Sequence, residues 1–241
     1  MLDRFNRRIE YLRISVTDRC NLRCRYCMPE SGVKLLPHDK ILSFEEILSV
    51  VRAAVKMGIN KIRLTGGEPL VRQDIVELVA MLADVDRIGD YAMTTNGIFL
   101  EEFAAPLAKA GLHRVNVSLD ALNPQRYRWI TRGGDVRRVL AGIEAAKSAG
   151  LVPVKLNCVV ERSPDEPDAK EVAAFAKAKG LDVRFIRRMN LETGQFWQVH
   201  GGTGGDCKLC NRLRLSSDGL LRPCSVSYTH LRAHETSLHL V

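Results

Sequence analysis

The chain has 241 residues, 46% of them hydrophobic, and a formal net charge of +8. That composition supports one sizeable core with a small second lobe, and nothing in it reads as a long disordered region. No apolar run reaches the roughly 18 residues of a membrane-crossing helix, and the scattered arginines form no nucleic-acid stripe, although they suit a phosphate-lined cavity.

The opening Met1-Leu2-Asp3-Arg4 lacks the apolar stretch of a secretory leader. Residues 8–16 read as a strand running into a loop that holds Cys20, Cys24 and Cys27. Ser43 is the expected N-cap of a helix over 43–57, with Glu46 three residues on and Gly58 past the end. A strand over 61–64 leads into Thr65-Gly66-Gly67-Glu68-Pro69. Then come a helix over 71–82, a strand over 91–94 and an Asn96-Gly97 turn. A helix over 101–110, a strand over 114–119, a helix over 135–149, a strand over 152–160, a helix over 168–179 and a strand over 182–186 follow. Six strands alternating with helices predict an α/β fold, an open or partial (β/α)6 barrel with functional loops at the C-terminal strand ends. A doubly wound open sheet is the alternative. Residues 191–205, crowded with Gly201, Gly202, Gly204 and Gly205, read as a linker to a second set, Cys207, Cys210 and Cys224. The expected division is a barrel over 1–190, a linker and cluster-binding segment over 191–224, and an aberrant tail over 225–241.

Three soft thiolates can hold three corners of a [4Fe-4S] cube and leave the fourth iron open. Zinc competes for such spacings, with His38 as the nearest fourth ligand at the first set and His200 or His230 at the second. Buried structural thiols are the plain alternative. A reducing cytoplasm suits free thiols of this number. Gly66 and Gly67 let the backbone approach a ligand, and Glu68 can accept from an ammonium group. Lys61 and Arg63 alternate along one strand and so share a face, which predicts a common anion pocket; Arg212 and Arg214 alternate too. Cys158 reads as a packed core thiol, and Trp129 and Trp197 as packing or lid residues.

Cys20-x3-Cys24-x2-Cys27 combined with Gly66-Gly67-Glu68-Pro69 resembles the signature of the radical S-adenosylmethionine superfamily. The stretches 11–20, 61–70 and 116–120, together with Cys210-Asn211-Arg212-Leu213-Arg214-Leu215 and Arg222-Pro223-Cys224, are similar to the molybdenum cofactor biosynthesis enzyme A family, the GTP 3′,8-cyclases. The resemblance covers most of residues 11–224. It implies two [4Fe-4S] clusters, one on Cys20, Cys24 and Cys27 and one on Cys207, Cys210 and Cys224. S-adenosylmethionine would sit at the first, against Gly66, Gly67, Glu68, Tyr26, Thr95 and Ser118. Asn96 and Asp120 have turn or capping roles as the alternative. The implied lyase reaction splits the sulfonium, takes hydrogen from ribose C3′ of GTP and closes C3′ onto C8. Arg13, Lys61, Arg63, Lys155 and Arg184 would bind the triphosphate. Arg212 and Arg214 would lie over the nucleotide and support the radical step. Implied partners are a low-potential electron donor, a downstream pterin-forming enzyme and a second copy of the chain.

A radical enzyme acting on a peptide and a zinc-stabilised binding protein are the other readings; the 211–214 segment favours the nucleotide. Two departures from the family pattern stand out. The stretch between Phe185 and Cys207 is shorter than usual by several tens of residues, with Arg187 and Arg188 where the family is more acidic. Residues 225–241 resemble translated adapter sequence in place of a Gly-Gly tail.

Overall fold

Alternation of apolar and polar side chains gives the sheet two unlike faces, and that contrast decides where the site lies. The computed structural model describes residues 2–3, 6–190 and 193–224, and the backbone at 231–232. In β1 (Tyr11–Ser15), Leu12 and Ile14 are fully buried while Tyr11, Arg13 and Ser15 face the other way. The period repeats in β2 (Lys61–Thr65), β3 (Asp90–Thr95), β4 (Arg114–Ser118), β5 (Lys155–Val160) and β6 (Asp182–Arg187). Ile62, Leu64, Val115, Val117 and Leu156 fill the apolar face.

Helices α1 (Phe44–Lys56), α2 (Ile75–Ala83), α3 (Leu100–Lys109), α4 (Pro124–Thr131), α5 (Val136–Ser148) and α6 (Pro167–Lys179) supply the other side of the core. Ile47 and Val51 of α1, Leu78 and Leu82 of α2, Ile143 of α5 and Val172 of α6 are each completely buried. Each such side chain contributes about 1.5–3 kcal/mol. At α1 the predicted capping box forms: Glu46 N donates to Ser43 Oγ at 3.2 Å, and Ser43 N donates to Glu46 Oε2 at 2.7 Å.

The parallel strands run β6-β5-β4-β3-β2-β1 in space. Every crossover therefore steps the same way, and there is no point at which the order reverses. A doubly wound sheet needs that reversal, so the alternative falls and the open, partial barrel stands. β7 (Arg212–Leu215) adds in parallel on the free side of β1, pairing Tyr11 with Arg212 and Arg13 with Arg214. β8 (Leu220–Arg222) and β9 (Leu231–Arg232) then follow antiparallel. The C-terminal cysteine segment is thus joined to the barrel by a continuous sheet.

Five elements differ from expectation. α4 lay unrecognised between 119 and 135. The second helix starts at Ile75, because Pro69–Val71 form a separate 3-10 turn. The fifth strand starts at Lys155, after Pro153, which has no amide hydrogen for a ladder. β7 and β8 were not anticipated as strands. Among the described residues no helix is long and apolar enough to cross a membrane. The expectations for residues 225–230 and 233–241, His230 included, fall outside the described residues.

Candidate active site

The first cysteine loop leaves the C-terminal end of β1 and meets the turn that leaves β2. Gly67 N donates to Thr17 O and Glu68 N to Arg19 O, both at 2.8 Å. The approach is backbone against backbone: a Cβ on Gly67 would stand 2.3 Å from Arg19 O, and one on Gly66 would stand 2.6 Å from Thr17 O. The glycines therefore serve a contact between two loops of this chain, a use not anticipated from sequence. Gly67→Ala is expected to cost about 1–3 kcal/mol and to slacken the cysteine loop. Lower thermal stability and lower iron uptake than in Gly89→Ala, where a Cβ meets nothing closer than 3.9 Å, would show it.

Glu68 is 1% exposed and anchors three donors. Its carboxylate accepts from Leu70 N at 3.1 Å, Thr95 Oγ1 at 2.7 Å and Asn96 N at 2.6 Å. Burial pushes its pKa up to about 7 against the pull of those donors. Both the Glu68 carboxylate and the Thr95 hydroxyl are thus engaged inside the protein, with Thr95 Oγ1 also accepting from Gly97 N at 3.0 Å. These two side chains tie the β2 and β3 exits together, where sequence had suggested direct contact with a ligand. The peptide carbonyls of Gly66 and Gly67 accept no hydrogen bond among the described residues. Asn96 both forms a turn, accepting from Ile98 N at 3.0 Å, and reaches the cysteine loop, donating to Asn21 Oδ1 at 2.8 Å and Cys20 Sγ at 3.9 Å.

A second anchor holds the other end of the loop. Tyr26 Oη donates to Asp120 Oδ2 at 2.8 Å, and Asp120 Oδ1 accepts from Val159 N at 2.8 Å. Burial raises Asp120 to about 6 and Tyr26 upward. Asp120 therefore bridges β4, β5 and the loop, which is more than a turn former. Cys24 lies among these groups; burial first, then Asp120 and Cys27, push its thiol up to about 12. Burial also raises Cys20 and Cys27. Metal binding at this loop must release protons.

All seven cysteines are free thiols. Among the described residues no three cysteine, histidine or carboxylate side chains already stand close enough to share one metal ion. His38 is exposed in its own short turn. A cube spreads its thiolates over separate iron corners and asks for a wider set than one zinc does. Soft donors, a thiol environment shared by Cys20, Cys24 and Cys27, and a glycine cradle fit an iron–sulfur group there. Cys224 and Cys210 both act electrostatically on the Arg214 guanidinium, whose pKa burial lowers.

The polar face of the sheet is strongly cationic. Register places Arg13, Lys61, Arg63, Arg114, Lys155, Arg184, Arg212, Arg214 and Arg222 on it, against two acids, Asp90 and Asp182. Arg114 binds Asp90 through two nitrogens at 2.9 and 2.6 Å and donates to Asn116 Oδ1 at 3.0 Å. Lys155 Nζ donates to Asp182 Oδ2 at 2.7 Å. Arg63 is 9% exposed, and its Nε has no partner among the described residues. Burial, then the positive charges of Arg114 and Arg13, lower it to about 10. Arg212 Nε, Arg222 Nε and Asn116 Nδ2 are also buried donors without partners. The Tyr11 ring lies between Arg63 and Arg212, each guanidinium 5.5 Å from its centre. Ser118 ends β4 on the same face. Sequence reading found seven of these cations; Arg114, Arg222 and the stacking Tyr11 were missed, although the period-2 rule reaches all three once the strands are placed.

A cavity of about 640 Å3 opens beside the loop, lined by Tyr26, Cys27, Met28, Arg132, Glu161 and Trp197 among others. Trp197 is part of that lining and has Arg187 stacked 3.8 Å from its ring centre.

Residues 14–176 match the radical SAM superfamily. The GTP 3′,8-cyclase of Alkaliphilus oremlandii is 42% identical over 266 positions, covering 93% of this chain and 83% of that protein. The GTP 3′,8-cyclase of Moorella thermoacetica is 44% identical, with the same shares covered. Each alignment is longer than the chain, so both relatives carry segments without a counterpart here. Among solved structures, Streptococcus suis SuiB bound to S-adenosylmethionine superposes with a TM-score of 0.72 at 16% identity, covering 95% of this chain and 64% of that one. AnSMEcpe with bound AdoMet gives 0.71 at 17% identity, covering 96% and 77%. Those two likenesses carry the fold alone. The match over residues 14–176 places the chain in the radical SAM superfamily, and by its identity to the cyclases over most of its length the chain belongs to the GTP 3′,8-cyclase family.

Proposed function

We propose that this protein cyclises GTP to 3′,8-cyclo-7,8-dihydro-GTP in the pathway to molybdenum cofactor. The observation that carries it is the nine-cation face, whose buried guanidinium donors have no partner among the described residues, on a sheet in which β1 leads into the first cysteine triplet and the adjoining β7 follows Cys207 and Cys210. A polyanion such as a triphosphate satisfies those donors and offsets the surrounding positive charge, which an uncharged peptide segment does not.

Cys20, Cys24 and Cys27 would hold one [4Fe-4S] cluster and Cys207, Cys210 and Cys224 the other. When bound, the first cluster with S-adenosylmethionine supplies the radical that takes hydrogen from ribose C3′. The chain's own groups position the partners. The free carbonyls of Gly66 and Gly67 accept from the methionyl ammonium, while Glu68 and Thr95 hold that turn in place. Tyr26 closes the adjacent cavity, and Ser118 presents a hydroxyl to the cofactor from the end of β4. Arg13, Lys61, Arg63, Lys155 and Arg184 bind phosphate oxygens, and Lys155 leaves Asp182 to do so. Arg212 and Arg214 come shortly after Cys210 and lie on the same face, so they would contact base or ribose beside the second cluster. The electron comes from a low-potential donor in a reducing cytoplasm, and a pterin-forming enzyme consumes the product.

Anaerobic incubation with GTP, S-adenosylmethionine and dithionite, followed by mass analysis, tests the proposal. The expected products are 5′-deoxyadenosine and a cyclised nucleotide. Cofactor cleavage that is indifferent to GTP and yields no altered nucleotide would overturn it.

A further inference from the structure

Helix α4 and the outer side of the first cysteine loop form one basic surface that the chemistry above does not use. Arg25 N donates to Ile130 O at 2.9 Å and Arg23 N to Thr131 O at 3.2 Å. Arg132 Nη1 donates to the carbonyls of Arg23 and Met28, both at 2.8 Å. The loop that carries Cys24 and Cys27 is thereby stitched to the C-terminal end of α4. On the outside Trp129, 51% exposed, is held between two guanidinium groups, Arg25 at 4.3 Å and Arg126 at 4.7 Å from its ring centre. Arg25 Nε also donates to Trp129 O at 2.9 Å.

Arg23, Arg25, Arg126 and Arg128 are exposed here. Neither residues 19–28 nor residues 121–134 contain an aspartate or glutamate. Among the described residues Asp168 pairs with Arg126 at 2.7 Å, and Glu161 lines the cavity that Arg25 and Arg132 also border. A large, oriented aromatic inside a charged rim is the composition of a protein-binding centre. The patch is compact, seated on an eight-residue helix, and lacks the length of a groove that tracks a nucleic-acid backbone.

Its location supplies the chemistry. The lumen side of the loop faces Glu68, Asn96 and the cationic face, and is taken by cofactor and substrate. The outer side lies between the first cluster and solvent. The electron that reduces that cluster has to enter from outside, through a partner that comes close and leaves quickly. Small, charge-steered contacts suit such exchange. We propose that the α4 surface docks a small acidic protein carrying a low-potential one-electron group. The partner would give up one electron, and the iron–sulfur group that Cys20, Cys24 and Cys27 would hold would accept it. This inference rests on the cluster assignment proposed above.

An acidic flavodoxin in its fully reduced form is the probe, with its affinity for the reconstituted protein measured by biolayer interferometry. Binding is expected to weaken about tenfold or more between low and physiological salt, and again by about tenfold in Arg126→Glu/Arg128→Glu. Trp129→Ala is expected to speed dissociation. Flavodoxin-driven cleavage of S-adenosylmethionine should fall with affinity, while dithionite-driven cleavage, which needs no docking, stays unchanged. The neutral pair Arg126→Gln/Arg128→Gln, checked by thermal melting, separates lost charge from lost fold. Unaltered flavodoxin affinity in both pairs would overturn the proposal, as would tighter binding of a short nucleic acid than of flavodoxin. Failure of dithionite to support cleavage in the unaltered protein would instead fault the cluster assignment.

Discussion

Cys24→Ala is expected to abolish reductive cleavage of S-adenosylmethionine while leaving the fold intact. Cys24 is the middle cysteine of the first triplet, and after burial Asp120 is the largest influence raising its thiol. Alanine there removes one sulfur from a site held in place from elsewhere. Tyr26 keeps its hydrogen bond to Asp120, and Gly67 and Glu68 keep theirs to Thr17 and Arg19. Two loop thiolates do not hold a cube against solvent. Iron should fall from about eight to about four atoms per chain, one cube being lost and one kept. Affinity for GTP should change little, because the cationic face and the second triplet are untouched. Iron analysis, cleavage to 5′-deoxyadenosine and nucleotide titration check the three parts. Cleavage at the unaltered rate would remove Cys20, Cys24 and Cys27 from the reaction altogether.

The fold was legible wherever a short stretch carries its own signal. Ser43, Glu46 and Gly58 mark both ends of α1 within one helix, and alternating Leu12, Ile14, Ile62 and Leu64 mark two strands. α4 escaped because only Tyr127, Ile130 and Thr131 of its eight residues are buried. Its true signals were Asn123, which accepts from Arg126 N at 2.9 Å, and Pro124 in the first turn. The site divides in the same way. Thiol spacing and the Lys61-Arg63 alternation are local, and both could be read directly. The Glu68–Thr95 and Tyr26–Asp120 bonds join residues 27 and 94 positions apart, so a sequence shows the groups and not the pairing. Glu68 and Thr95, read from the sequence as cofactor contacts, bond to each other in the structure. The union of β7 with β1 across 200 residues is equally silent in the sequence, yet it brings Arg212 and Arg214 onto the face that Arg13 and Arg63 occupy.

Arg63→Ala separates a substrate site from a structural one more sharply than any other single change. Arg63 is nearly fully buried, its Nε has no partner among the described residues, and its neighbours Arg114 and Arg13 repel it. With only the Tyr11 ring and the charge of Asp90 to offset it, such a buried cation does little for the folded state, because its desolvation costs several kcal/mol. Removing it should therefore leave the melting temperature of the nucleotide-free protein unchanged or raise it. GTP binding should move the other way. A charge-assisted hydrogen bond to a phosphate oxygen is worth about 1.5–3 kcal/mol, which corresponds to about 10- to 100-fold in affinity. S-adenosylmethionine, proposed to sit at the Gly66-Gly67 turn and not on the cationic face, should bind within about twofold of its original strength. Calorimetric titration with each ligand, beside thermal unfolding without either, gives the comparison. Equal losses for both ligands together with a lower melting temperature would mean that Arg63 supports the barrel, and the anion pocket would then have to be sought elsewhere on the sheet.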